Sequence, residues 1–158
     1  MKRLLVIGTA LVLLTALPGG SVAATTPGCT PAQTRAVIAR FVTAFNTGNR
    51  KALNDSWVDR LSFKWYGVTS APGLRPLQAA VQRSTLLAYF AERHAAHEHL
   101  QLTRVKVNGV SAGAYSNFEF ELLRSADDLA GGPKPYRGKG AAMCSTGRLM
   151  VWSMGAVA

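Results

Sequence analysis

Carboxylates are scarce in this chain: 158 residues hold eight Asp and Glu against 18 Lys and Arg, with only three His and two Cys. Gly-x-Ser-x-Gly is absent, so no serine nucleophile elbow can be placed. Arg137-Gly138-Lys139-Gly140 lacks the spacing of a phosphate-binding loop and precedes a strand, so it has no helix N-terminus to offer an anion. Lys and Arg never run longer than two together, and aromatics are not interleaved with them in one strand motif, so no specific nucleic-acid interface is expected. Internal repeats and low-complexity segments are missing too, and no motif implies a cofactor.

What is present begins with a leader. Met1-Lys2-Arg3 is cationic, Leu4 to Leu17 is apolar except for Gly8, Thr9 and Thr15, and Pro18-Gly19-Gly20 ends the run. Ser21-Val22-Ala23-Ala24 puts small residues at −3 and −1, so residues 1–24 read as a signal peptide cleaved after Ala23 or Ala24. A transmembrane anchor needs about 20 apolar residues; this run is too short, and none is expected. Residues 25–158 are then one secreted domain. Without Lys2 and Arg3, 16 basic side chains face eight acidic ones. The basic residues are dispersed from Arg35 to Arg148, which fits a soluble exported surface. A basic envelope-surface protein for polyanions is the alternative, and it requires these charges on one face.

Cys29 and Cys144 are an even pair in an oxidising compartment, most simply a disulfide. Closing so long a loop is worth up to about 4–5 kcal/mol in the chain-entropy model. A metal site needs more ligands at short spacing, and a cysteine nucleophile would have to survive oxidation. Lipidation of Cys29 is the remaining option, although Thr26-Pro27-Gly28 lacks the aliphatic residue of a lipobox.

Thr30-Pro31-Ala32-Gln33 predicts a capped helix start. Val37, Ile38, Phe41, Val42 and Phe45 then form its apolar face, with Gly48 as the stop. Asn49 caps a short second helix that carries Leu53 and Trp57 to about Val58. Leu61 to Val68 alternates as a strand with Leu61, Phe63 and Trp65 on one face. Residues 69–76 read as a loop. Leu77 to His97 reads as helical, with Ser84 capping its regular half. Leu100 and Leu102 share one phase and Val105 and Val107 the other, which requires a bulge near Thr103-Arg104. Asn108-Gly109 opens a turn. Tyr115 to Arg124 sets Phe118, Phe120 and Leu122 against Glu119 and Glu121. A loop spans 125–140, and two strands around Gly147 end the chain.

Two helices, a strand, a helix and a run of antiparallel strands make an α+β layout. With Phe45-Asn46-Thr47-Gly48-Asn49, Phe63-Lys64-Trp65-Tyr66 and the final Leu149-to-Gly155 strand, this order resembles the nuclear transport factor two-like superfamily, also called SnoaL-like or ketosteroid-isomerase-like. The resemblance covers roughly residues 31 to 155. It implies a cone-shaped roll, a coiled antiparallel sheet wrapped around the helices, with an apolar pocket at the wide end. The family's strand between the first strand and the third helix is weak here or replaced by the Pro-Gly loop. Relatives include isomerases, cyclases, epoxide hydrolases, dehydratases and pocket-bearing domains without known catalysis. A small apolar ligand is implied, and a homodimer through the outer sheet face. In such a cone the first helix crosses the sheet near its last strands, so Cys29 and Cys144 can meet.

The densest titratable cluster is Arg93-His94-Ala95-Ala96-His97-Glu98-His99. His94 and His97 share a face if the helix persists, as an acid/base pair with Tyr66 or Tyr89, or as metal ligands. The plainer reading is a polar helix end complementing the dipole. No carboxylate third ligand is spaced for a metal, and no metal is assigned. Asp55 and Asp59 stand beside Lys51 and Arg60, and no pocket Asp matches the isomerase base. Trp57, Trp65, Phe90 and Trp152 are core or ligand-binding wall. The leading expectation is a secreted domain that binds a small molecule or a protein partner, with catalysis not evident. A cofactor-free hydrolase, isomerase or cyclase built on His and Tyr is the alternative.

Overall fold

A computed structural model describes residues 29–59, 64–68, 77–80, 82–111 and 115–157. The leader, Thr26-Pro27-Gly28, Leu61, Phe63 and the 69–76 loop lie outside the described residues. Helix α1 (Pro31–Asn46) opens as expected: the Gln33 amide donates to the Thr30 side chain, and the Gln33 side chain accepts from the Thr30 amide. Gly48 leaves the helix at φ +62°, and the Asn49 side chain accepts from the Ala52 amide to start α2 (Arg50–Asp55).

Strand β1 (Lys64–Val68) is followed by β2 (Leu77–Ala80), and only then by α3 (Arg83–Ala95). Leu77 to Ala80 therefore are not helical. They pair antiparallel with β1 and supply the strand that the Pro-Gly loop was expected to replace. Pairing to an open sheet edge overrides the helical preference of a short Leu-Gln-Ala-Ala segment. The cap of α3 moves with it, from Ser84 to Gln82, which makes no side-chain capping bond.

The remaining strands are β3 (His99–Ser111), β4 (Tyr115–Ser125), β5 (Lys134–Met143) and β6 (Arg148–Ala156). They form one six-stranded sheet in the order β2-β1-β6-β5-β4-β3, antiparallel throughout except for the parallel β1–β6 pair. The phase switch in β3 is a register shift between Leu102 and Arg104. A second shift between Val107 and Gly109 carries β3 on to Ser111, so Asn108-Gly109 is a bulge rather than a turn. The loop before β5 is also shorter than expected, because Lys134 to Met143 is strand.

Helices α1 and α3 pack on the inner face of this sheet. The Asn46 side chain at the end of α1 donates to the Leu100 carbonyl (2.9 Å) and accepts from the Leu100 amide (2.9 Å), fixing the helix to β3 as another strand would. Cys29 and Cys144 are disulfide-bonded with Cα atoms 4.8 Å apart, joining the entry of α1 to the turn after β5.

Candidate functional site

Strand β4 alternates, with Ser116, Phe118, Phe120, Leu122 and Arg124 buried and Asn117 and Glu119 exposed. Opposite Phe118 and Phe120 on β5 stand Gly140 and Gly138. A Cβ at Gly138 would overlap the Phe120 ring and the Ser153 carbonyl oxygen; one at Gly140 would overlap Phe118 and the Val151 carbonyl oxygen. The missing side chains let both rings lie flat across β5, and Trp152 of β6 stacks on Phe120 with centroids 3.9 Å apart. From α1, Phe41 closes the layer, 4.9 Å from Trp152, 5.7 Å from Trp57 and 5.9 Å from Phe90.

Trp57, Phe90 and Trp152 are core, 0%, 2% and 0% exposed, and of the three only Phe90 also borders a surface concavity among the described residues. Among the described residues, the aromatic faces of helices and sheet bury one another. Trp65 and Tyr66 stand in register with Trp152 and Ser153, and their side chains lie outside the described residues.

At one end of this interior lies a charged cluster. Arg124 donates from Nε to Glu98 Oε1 (2.7 Å), from Nη2 to Glu98 Oε2 (2.8 Å) and from Nη1 to the Tyr136 hydroxyl (3.1 Å). Arg93 of α3 also donates to Glu98, and grips Asp128 with both terminal nitrogens at 2.7 and 2.6 Å. The side chains of Glu98 and Arg124 are 0% and 1% exposed. Hydrogen bonds from Arg93 hold the Asp128 carboxyl below its usual range, and Asp128 in turn raises Arg93. Burial alone would lower the Arg124 pKa, but the bonds and charge of Glu98 outweigh it and the net direction is upward. Burial first, and the negative charge of Glu98 second, push the Tyr89 hydroxyl up to about 12. Every charge in the cluster has a partner, as a structural lock requires.

The acid/base pair of His94 and His97 does not form. Helix α3 ends at Ala95, and His97 adopts φ 51°. Its amide bonds to the His94 carbonyl and that of Glu98 to the Arg93 carbonyl, the Schellman pattern, with His97 where glycine usually stands. This turn swings Glu98 inward and leaves His94, His97 and His99 exposed. His97 Nδ1 meets the exposed Asp127 at 2.7 Å. The His94 ring lies against Gly48, where a Cβ would overlap it. Among the described residues no group of three or more His, Cys, Asp or Glu is arranged to hold a metal ion.

The sequence reading placed Arg93 and Glu98 in the titratable cluster but gave the roles to the histidines, and it missed Arg124, Asp128 and Tyr136. One signal was available: Arg124 continues the two-residue period of Phe118, Phe120 and Leu122 onto the buried face. The outer face matches expectation, with Glu119 exposed and Glu121 between Arg104 (3.9 Å) and Arg137 (3.6 Å). A depression of about 310 Å³ lies there, lined by Arg104, Lys106, Glu121 and Arg137 among others. A second concavity, about 190 Å³, opens between the α1–α2 corner and α3. Among the described residues, basic side chains lie on α1 and α2 (Arg35, Arg40, Arg50, Lys51) and around the outer depression (Arg104, Lys106, Arg137), while Arg93 and Arg124 are buried.

A coiled sheet packed on α1 and α3 defines a cystatin-like roll, and solved structures agree. A cystatin-like protein from Caulobacter vibrioides aligns with 80% of this chain and 89% of its own at a TM-score of 0.62 and 13% identity. An NTF2-like protein of unknown function from Cytophaga hutchinsonii covers 78% and 89%, at 0.55 and 12% identity. A proposed dehydratase of the NTF2-like family from Streptomyces avermitilis covers 80% and 95%, at 0.58 and 15% identity. The chain therefore has the cystatin-like fold of NTF2-like (nuclear transport factor two-like) proteins, and at these identities the likeness is one of fold. No protein-family description and no curated protein matches the sequence.

Proposed function

We propose that this chain is an exported, disulfide-stapled NTF2-like domain that binds a small amphipathic molecule without turnover. Residues 1–24 act as the cleaved leader and 25–158 as the single mature domain. The observation that carries the absence of turnover is the aromatic layer among the described residues: Phe41, Trp57, Phe90, Phe120 and Trp152 are buried against one another. The buried titratable groups beside it, Arg93, Glu98 and Arg124, are engaged with one another rather than aimed at a vacant position. A general base needs reach to a substrate proton, and the exposed His94 and His97 do not face the interior. The Cys29–Cys144 bond supports an oxidising compartment. Native mass spectrometry of the protein purified from its own host tests the reading. A mature chain beginning at Ala24 or Thr25 with a co-purifying small molecule is expected; an intact leader or a bare chain would count against it.

A further inference from the structure

We infer that the cleft between the α1–α2 corner and α3 binds a small carboxylate with an apolar tail, an inference that rests on the binding reading above. Its floor is Leu53 and Phe90, 3% and 2% exposed, and Leu87 and Ala91 of α3 form one wall. Arg50 and His94 stand at the rim. The volume, about 190 Å³, equals roughly six waters of the liquid. That space admits one aromatic ring or a short alkyl chain and is below the range of drug-sized pockets.

Charge selects the head group. The Arg50 and His94 side chains are exposed, and neither side chain makes a hydrogen bond or ion pair among the described residues. The acids nearest to Arg50 along the chain are already engaged: Asp55 by Lys51 at 2.7 Å, and Asp59 by Arg148 at 2.6 Å and Arg83 at 3.1 Å. A guanidinium with no protein carboxylate, lining a cleft with an apolar floor, complements a ligand with a carboxylate at one end and hydrocarbon at the other. Gly48 shapes the site as well, because a side chain there would displace the His94 ring that lies against it.

The probes are phenylacetate and its neutral analogue phenylacetamide, titrated into the mature chain and followed by amide NMR shifts. Phenylacetate is expected to perturb Gly48 and Ala91 and to bind about fivefold more tightly than the amide, the advantage an exposed ion pair gives. Arg50→Gln removes that advantage and leaves the amide affinity unchanged. Ala91→Trp, at an exposed helical position, fills the cleft and abolishes both titrations with the thermal midpoint retained. Equal affinity for acid and amide, no binding of either, or shifts confined to Arg104, Lys106 and Arg137 would overturn the site. A co-purifying molecule that stays bound to Ala91→Trp would also overturn it, while leaving the broader binding reading intact.

Discussion

Gly138 and Gly140 act through the side chains they lack, and Phe118 and Phe120 use the space. Gly138→Ala sets a methyl group against the Phe120 ring and the backbone oxygen of Ser153, which cannot rotate away. Overpacking of this kind costs about 1–3 kcal/mol, and urea unfolding should show the midpoint fall accordingly. Tyr89 makes a pH prediction. Its pKa in the folded chain is raised from 10.0 to about 12. Below pH 10 its contribution to stability is intact. Between pH 10 and 12 the unfolded chain loses the phenolic proton first, so stability declines as pH rises. Urea midpoints at pH 9, 10 and 11 should trace that decline, and Tyr89→Phe should flatten it. A midpoint that rises through this window would contradict the burial argument.

Among elements, the join of α3, β3 and β4 depends on Glu98. Removing one partner of a buried ion pair leaves charge uncompensated and costs about 3–5 kcal/mol. Glu98→Gln is expected to fall in that range, since it leaves Arg93 and Arg124 facing each other. Asp127→Asn removes the neighbouring contact to His97, whose side chains are 79% and 68% exposed. An exposed pair is worth about 1 kcal/mol or less. Chemical denaturation of the two variants separates the buried lock from the surface pair. Equal losses would show that Glu98 is less buried than described here.

For the whole molecule, the Cys29–Cys144 bond closes a span of 115 residues and ties the start of α1 to the last hairpin. Replacing both cysteines by serine should cost about 3 kcal/mol, lowering the thermal midpoint by roughly 10 °C. Intact mass with and without reductant before alkylation checks the bond itself. Free thiols in the unreduced protein would remove it and return Cys29 to the lipid-anchor reading.

Sequence alone determined the elements whose signals are local. The Thr30–Gln33 cap, the face of α1, the Gly48–Asn49 corner, the alternation of β4 and the bulge after Leu102 all follow from residues within one or two turns of each other. The paired cysteines were legible because only one pairing exists. Tertiary structure decided the rest. Leu77 to Ala80 become strand because β1 offers them an edge. Lys134 to Gly138 become strand because β4 and β6 pair with them on both sides. Aromatic faces from α1, α3, β4 and β6 meet in one buried layer, which no single segment records. The charged cluster was hidden for the same reason: Arg93 and Glu98 come from one stretch of the chain, and Arg124 and Asp128 from another 26 to 35 residues on. Their burial is favourable only when all are present, so apart from the alternation that puts Arg124 on the inner face of β4, no local pattern announces them.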